Sequence, residues 1–179
     1  MANVMTPEFR VSYPKVFKAE RNEMSGKDEY SVVALFKKGQ DITVLKKALE
    51  ECLTEKFGDD KAKWPKNLKN PFRDQADREK DGVMPAGYEK GALFITLKST
   101  NKPGVVDASV SLIIDEKDFY AGCFARATVR VGYYDKAGNK GVAFYLQNIQ
   151  KLRDGEPLSG RASAETEFAP VESNDDMFA

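Results

Sequence analysis

Residues 119–152, FYAGCFARATVRVGYYDKAGNKGVAFYLQNIQKL, read as two strands joined by a short polar turn. From Cys123 onward the side chains alternate. Ala125, Ala127, Val129, Val131 and Tyr133 fall on one face, and Phe124, Arg126, Thr128, Arg130, Gly132 and Tyr134 on the other. Successive residues of a strand point to opposite faces, so one face is expected to be buried and the other to carry two arginines between aromatics. Residues 135–141 (DKAGNKG) have the Gly and Asn content that a hairpin connection needs for positive φ, and Lys136 and Lys140 lie in it. The return strand, 142–152, is rich in apolar and aromatic residues. Two readings of the outward face stay open. It is either a solvated sheet face kept soluble by arginines, or a cationic platform on which bases stack.

The chain around this hairpin reads as mainly β. FRVSY (9–13) alternates and is expected to stop at Pro14; YSVVALF (30–36) and ALFITLKS (92–99) read as further strands, with a shorter extended stretch over 105–114. Asp41 is placed to cap a helix running to about Phe57, whose apolar face holds Ile42, Leu45, Leu49, Cys52, Leu53 and Phe57. About five principal strands with one packing helix fit a small, partly open barrel; the OB-fold is the leading candidate, and strand count alone does not separate it from other small barrels.

Between helix and third strand, residues 58–91 contain three prolines and little periodicity, a length of loop that is uncommon in a compact domain unless functional. Within it, 61–73 (KAKWPKNLKNPFR) carries Lys61, Lys63, Lys66, Lys69 and Arg73 with no acid, together with Trp64 and Phe72. Cations and aromatics on one loop suit closure over a nucleic-acid strand; the competing reading is a charged loop with Trp64 anchored in the core.

The 179 residues allow one domain with a sizeable core, and 41% hydrophobic with 31% charged residues is the composition of a soluble protein. The first residues, MANVMTPEFR, lack the basic-then-apolar order of a signal peptide, and no apolar run reaches membrane-span length. Cys52 and Cys123 lie far apart in apolar settings, as reduced buried thiols do. There is no histidine, which excludes Ser-His-Asp and Cys-His mechanisms, and two cysteines alone cannot close a four-ligand zinc site. No catalytic residue, cofactor or metal is expected. The alternative is a metal-dependent nuclease or recombination enzyme using Asp74, Asp77, Asp81 or Asp115, none of which has a second matched carboxylate group at a known spacing.

Net charge is zero, yet it is divided. All 28 Lys and Arg lie at or before Arg161, where the body carries +5, and the remainder carries −5. The expected organisation is a binding domain over 1–161 and a disordered acidic tail over 162–179. The tail finishes on Asp175, Asp176, Met177 and Phe178, an apolar hook behind two acids that suits a partner's basic-rimmed pocket.

Four stretches in order, FRVSYPKVF, PFRDQ, GYEKGALFITLKSTNKPGVVD and residues 119–160, resemble a family of phage single-stranded DNA-binding proteins best known from an enterobacterial phage. The resemblance implies an OB-fold core and binding of single-stranded DNA with little sequence preference. It further implies a role in phage DNA replication or recombination in the cytoplasm of the infected host. Partners would then be single-stranded DNA and, through the tail, phage or host replication and recombination proteins. The tail departs from the aromatic-terminated tails of single-strand binders, since Ala179 follows Phe178. The candidate DNA-contacting residues rest on the patches above: Lys61, Lys63, Trp64, Lys66, Lys69, Phe72 and Arg73 as one wall, and Phe124, Arg126, Arg130, Tyr134, Lys136 and Lys140 as the other.

Overall fold

The computed structural model describes residues 3–158 and 167–171. Among the described residues eight strands and one α-helix follow in order: β1 (Val4–Met5), β2 (Phe9–Asn22), β3 (Lys27–Leu35), α1 (Thr43–Phe57), β4 (Arg73–Asp74), β5 (Leu93–Ser99), β6 (Gly104–Val106), β7 (Phe124–Lys136) and β8 (Asn139–Arg153). Five of them close a ring, β2–β3–β5–β8–β7 and back to β2. Every pairing in the ring is antiparallel except β5 with β8, which run parallel and meet at Lys98 and Tyr145. A five-stranded ring with one weak parallel seam is the partly open barrel of an OB-fold.

The hairpin of 119–152 is longer and tighter than its sequence predicts. β7 and β8 stay paired to Lys136 and Asn139, so the connection is two residues rather than seven. Ala137 and Gly138 both take positive φ, 51° and 87°, as the tight hairpin turn that matches strand twist requires. The predicted alternation holds: Ala125, Ala127, Val129 and Val131 are buried, and Tyr133 packs half-buried, edge-on against Phe57 at 5.1 Å.

β2 does not stop at Pro14. A register shift between Ser12 and Lys15, with Tyr13 at φ 44°, takes the proline off the hydrogen-bond ladder and lets the strand continue to Asn22. The N-cap position of α1 is Ile42 rather than Asp41, whose carboxylate accepts the Thr43 N–H at 2.9 Å from one residue further out; α1 buries Leu45, Ala48, Cys52 and Leu53 against the barrel interior.

The β5–β8 seam is where the barrel would gape, and the 61–73 loop fills it. The Lys69 N–H donates to Lys140 O at 2.8 Å, β4 pairs with Phe94 and Leu93, and the Phe72 ring packs on Phe144 at 5.6 Å. The buried Gln75 side chain then ties this loop down, donating to Phe36 O and Leu93 O and accepting the Glu89 N–H. Residues 84–88 fold back over half of the outer surface of β3 and β5, where Tyr88 packs with Val33, Leu35 and Phe94. The Tyr88 hydroxyl is 2.8 Å from Ser12 Oγ. The other half of that outer surface stays open.

Candidate nucleic-acid interface

The open half is a groove. Strand register places Lys15, Ser31, Lys98, Tyr145 and Arg130 opposite one another across β2, β3, β5, β8 and β7 in turn. All five point outward, because Val16, Val32, Leu97, Phe144 and Val131 beside them are buried in the core. At the usual strand spacing the row spans about 19 Å of sheet.

Over the Lys98 and Tyr145 part of this row lies a cavity of about 460 Å³ with the β2–β3 hairpin (Asn22, Met24, Ser25) on one side and the β7–β8 hairpin (Lys136, Asn139) on the other. Thr96, Lys98, Ala143 and Tyr145 form the floor, and residues 69–73 supply the third side. Among the described residues, its lining carries Lys69, Arg73, Lys98 and Lys136 against a single carboxylate, Glu29. That carboxylate is occupied by Asn22 Nδ2 at 2.8 Å and Ser25 Oγ at 3.1 Å. Arg73 shares its charge with Asp77; Lys69, Lys98 and Lys136 engage no salt bridge among the described residues. The groove is therefore positive and solvated, as a polyanion backbone needs.

Two tyrosines supply flat surfaces in it, and two glycines make room for them. A Cβ on Gly132 would lie 3.0 Å from Tyr145 Cε2, so the Tyr145 ring rests across bare β7 backbone. A Cβ on Gly141 would lie 2.8 Å from the Tyr134 hydroxyl. Tyr145 keeps 39% of its surface exposed. Burial of the rest, and then the neighbouring Tyr134, push its phenol pKa up, so the ring is neutral at physiological pH and sets no charge against a phosphate.

The structure divides the residues singled out from sequence. Lys69, Arg73, Tyr134 and Lys136 line the groove, and Arg130 stands beside it next to Tyr145. Lys140 sits at its root, where its carbonyl holds Lys69. Phe72 is the plug of the seam. Trp64 is an anchor: its Nε1–H donates to Gly58 O at 2.8 Å, its ring packs against the core, and Lys61 lies over it while pairing with Glu50. Lys63 and Lys66 are exposed on the same barrel-end loop, outside the groove lining. Phe124 lies at the far end of β7, between the Arg153 guanidinium at 4.0 Å and that of Arg10 at 5.7 Å. The Arg126 Nε–H donates to Gln150 Oε1 at 2.9 Å, away from the groove. Arg126 is thus held by Gln150 while Arg130 stands beside Tyr145, and of the 61–73 loop only residues between 69 and 73 line the cavity. Lys15, Ser31, Thr96, Lys98 and Tyr145 are groove residues that the patch reasoning passes over. The outward alternation of Thr96 and Lys98 in β5 is a sequence signal for two of them.

Three of the four aspartates of the enzymatic alternative are held in structural roles, and Asp81 sits in a turn at φ 53°. Asp74 Oδ1 accepts the N–H groups of Ala76 and Gly91, which lowers its pKa; Asp115 accepts the Lys117 N–H; Asp77 pairs with Arg73. Among the described residues no cluster of three or more His, Cys, Asp or Glu side chains is placed to hold a metal. Among the described residues no helix is long and apolar enough to cross a membrane. Of the tail hook, Asp175, Asp176, Met177 and Phe178 lie outside the described residues, as does most of the predicted tail region 162–179.

The comparisons with known proteins converge on one group. A putative protein p50 from Acyrthosiphon pisum secondary endosymbiont phage 1 is 28% identical over 177 residues, 94% of this chain and 90% of that protein. The fold matches the single-stranded DNA-binding protein of bacteriophage Enc34 in complex with ssDNA, with a TM-score of 0.66, 19% identity and coverage of 87% and 88% of the two chains. It also matches gp2.5, a single-stranded DNA-binding protein encoded by bacteriophage T7, with a TM-score of 0.63, 11% identity and coverage of 91% and 98%. The family model described as Enterobacter phage Enc34, ssDNA-binding protein, matches residues 2–178. With nearly its whole length inside that match, the chain belongs to the Enc34-type family of phage ssDNA-binding proteins, a family of binding proteins rather than enzymes.

Proposed function

We propose that this protein coats single-stranded DNA with little sequence preference during phage DNA replication or recombination, in the cytoplasm of the infected host. The observation that carries the reading is the open groove between the two hairpins, with unpaired lysines on its floor and sides and the part-exposed Tyr145 ring among them. Lysines hold the backbone and aromatic rings stack on any unpaired base, so the arrangement suits single strands and hardly distinguishes their sequences. Of the residues singled out from sequence, Lys69, Arg73, Arg130, Tyr134 and Lys136 contact DNA in this reading, and Lys15, Lys98 and Tyr145 join them.

The folded domain ends near Arg161, and the acidic remainder competes with phosphate for the groove. Its effective concentration is high because it is tethered. Asp175, Asp176, Met177 and Phe178 present a hook to a replication or recombination protein. The test is titration of fluorescein-labelled oligo-dT, oligo-dA and a mixed sequence by anisotropy at two salt concentrations. Binding of all three within about tenfold of each other, weakening steeply with salt, is expected. Absence of binding at low salt refutes the function.

A further inference from the structure

The connection from β6 to β7 displays an aliphatic row to solvent. Val110, Leu112 and Ile114 are 71%, 67% and 82% exposed, while Ile113 between them is buried and donates its N–H to Val105 O at 2.9 Å. The row is held in place. Asp107 Oδ1 accepts the N–H groups of Ser109 and Ser111, both at 2.9 Å, and Asp107 O accepts that of Val110. Gln150 pins the turn to β8 by donating to Asp107 O and Ala108 O, and Arg126 orients Gln150 in turn. Val110 is thereby fixed at φ 64°, a region that β-branched residues rarely enter. Strain and exposed apolar surface together mark a binding surface more strongly than either alone. Beside the row Asp115, Glu116 and Asp118 are exposed, with Lys117 the one cation in 107–118.

Eight residues back along β8 from Gln150, about 26 Å away at strand spacing, Val142 floors a second unpartnered feature. A groove of about 360 Å³ runs between α1 and residues 68–72, lined by Leu49, Leu53, Leu68, Pro71, Phe72 and Val142. Lys46 and Lys69 stand on its rim; the rim carboxylate, Glu50, is taken by Lys61 at 3.0 Å.

We propose that these are the two halves of one contact, in which the 110–116 segment of one copy seats in the α1 groove of a second copy. The aliphatic row fills the apolar trough, and Asp115 and Glu116 meet Lys46 and Lys69. One copy cannot satisfy itself across that separation. Because the halves differ, each added copy leaves one of each free, so the association is heterologous and propagates head to tail.

Sedimentation velocity of the DNA-free protein at low salt, over a concentration series, tests this. Wild type is expected to associate in a concentration-dependent way. Lys46→Glu and Glu116→Lys each weaken association by about tenfold or more through like-charge contact. Their equimolar mixture recovers it, because each chain keeps the half the other needs and the two reversed halves fit one another. Val110→Gly deletes the knob and relieves its φ, so thermal stability is retained while association falls. A wild type that stays monomeric throughout, single variants that associate like wild type, or a mixture that fails to recover each overturns the proposal. Deletion of 162–179 leaves association intact; loss on that deletion alone makes the tail the groove's occupant and overturns it equally.

Discussion

Replacing Tyr145 by alanine isolates the stacking half of the proposed interface from its electrostatic half. The ring is 39% exposed and lies across Gly132, so little core packing depends on it. A base stacked on an aromatic side chain is worth about 1–3 kcal/mol, which converts to roughly 5- to 150-fold in affinity. No cation is removed, so the slope of log K against log salt concentration stays that of the wild type. The assay is anisotropy of labelled oligo-dT across a salt series, with urea denaturation showing that the variant folds. Tyr13→Ala is the matched control, since Tyr13 is 55% exposed but lies outside the groove. Wild-type affinity for Tyr145→Ala refutes the platform; an equal loss in both variants refutes its location.

Lys98→Gln should do the reverse, reducing the salt slope by about 0.7 for one phosphate no longer neutralised on a single strand. Phe72→Ala should destabilise the fold by about 3 kcal/mol in urea denaturation, as deletion of a packed aromatic does, and a near-neutral change would return Phe72 to the DNA-contacting set. Deleting residues 162–179 removes five acidic and no basic side chains, so affinity for oligo-dT at low salt should rise. Burial pushes the thiols of Cys52 and Cys123 above the usual cysteine range, leaving both protonated at neutral pH. A thiol reagent should therefore modify neither in the native protein and both in urea; rapid native reaction at either would contradict its burial.

Much of the fold was legible in the order of residues, because it rests on local rules. Alternation along 123–134 assigned the inward face of β7, the spacing of Leu45, Leu49, Cys52 and Leu53 assigned the packed face of α1, and Asp41 marked its start to within one residue. Pro14 misled for a non-local reason: a bulge that removes a residue from the ladder is set by the partner strand's register, which no single segment encodes. The 61–73 loop misled differently. Its lysines and aromatics read as one patch, yet Trp64 and Phe72 turn inward because an anchor and a seam plug are needed there, a demand that exists only once β5 and β8 fail to close.

The site shows the same division. Charge bias, the missing histidines and the hairpin's aromatic outward face belong to the sequence alone, and they bound the chemistry to binding rather than histidine- or zinc-based catalysis. Which cations stand together was decided by tertiary structure. Lys15, Ser31, Lys98, Tyr145 and Arg130 are spread over 131 positions of chain and come into one row only through four separate strand registers. Arg126, four residues from Arg130 on the same strand face, is claimed instead by Gln150. Periodicity says which way a side chain points; only the closing of the barrel says what it points at.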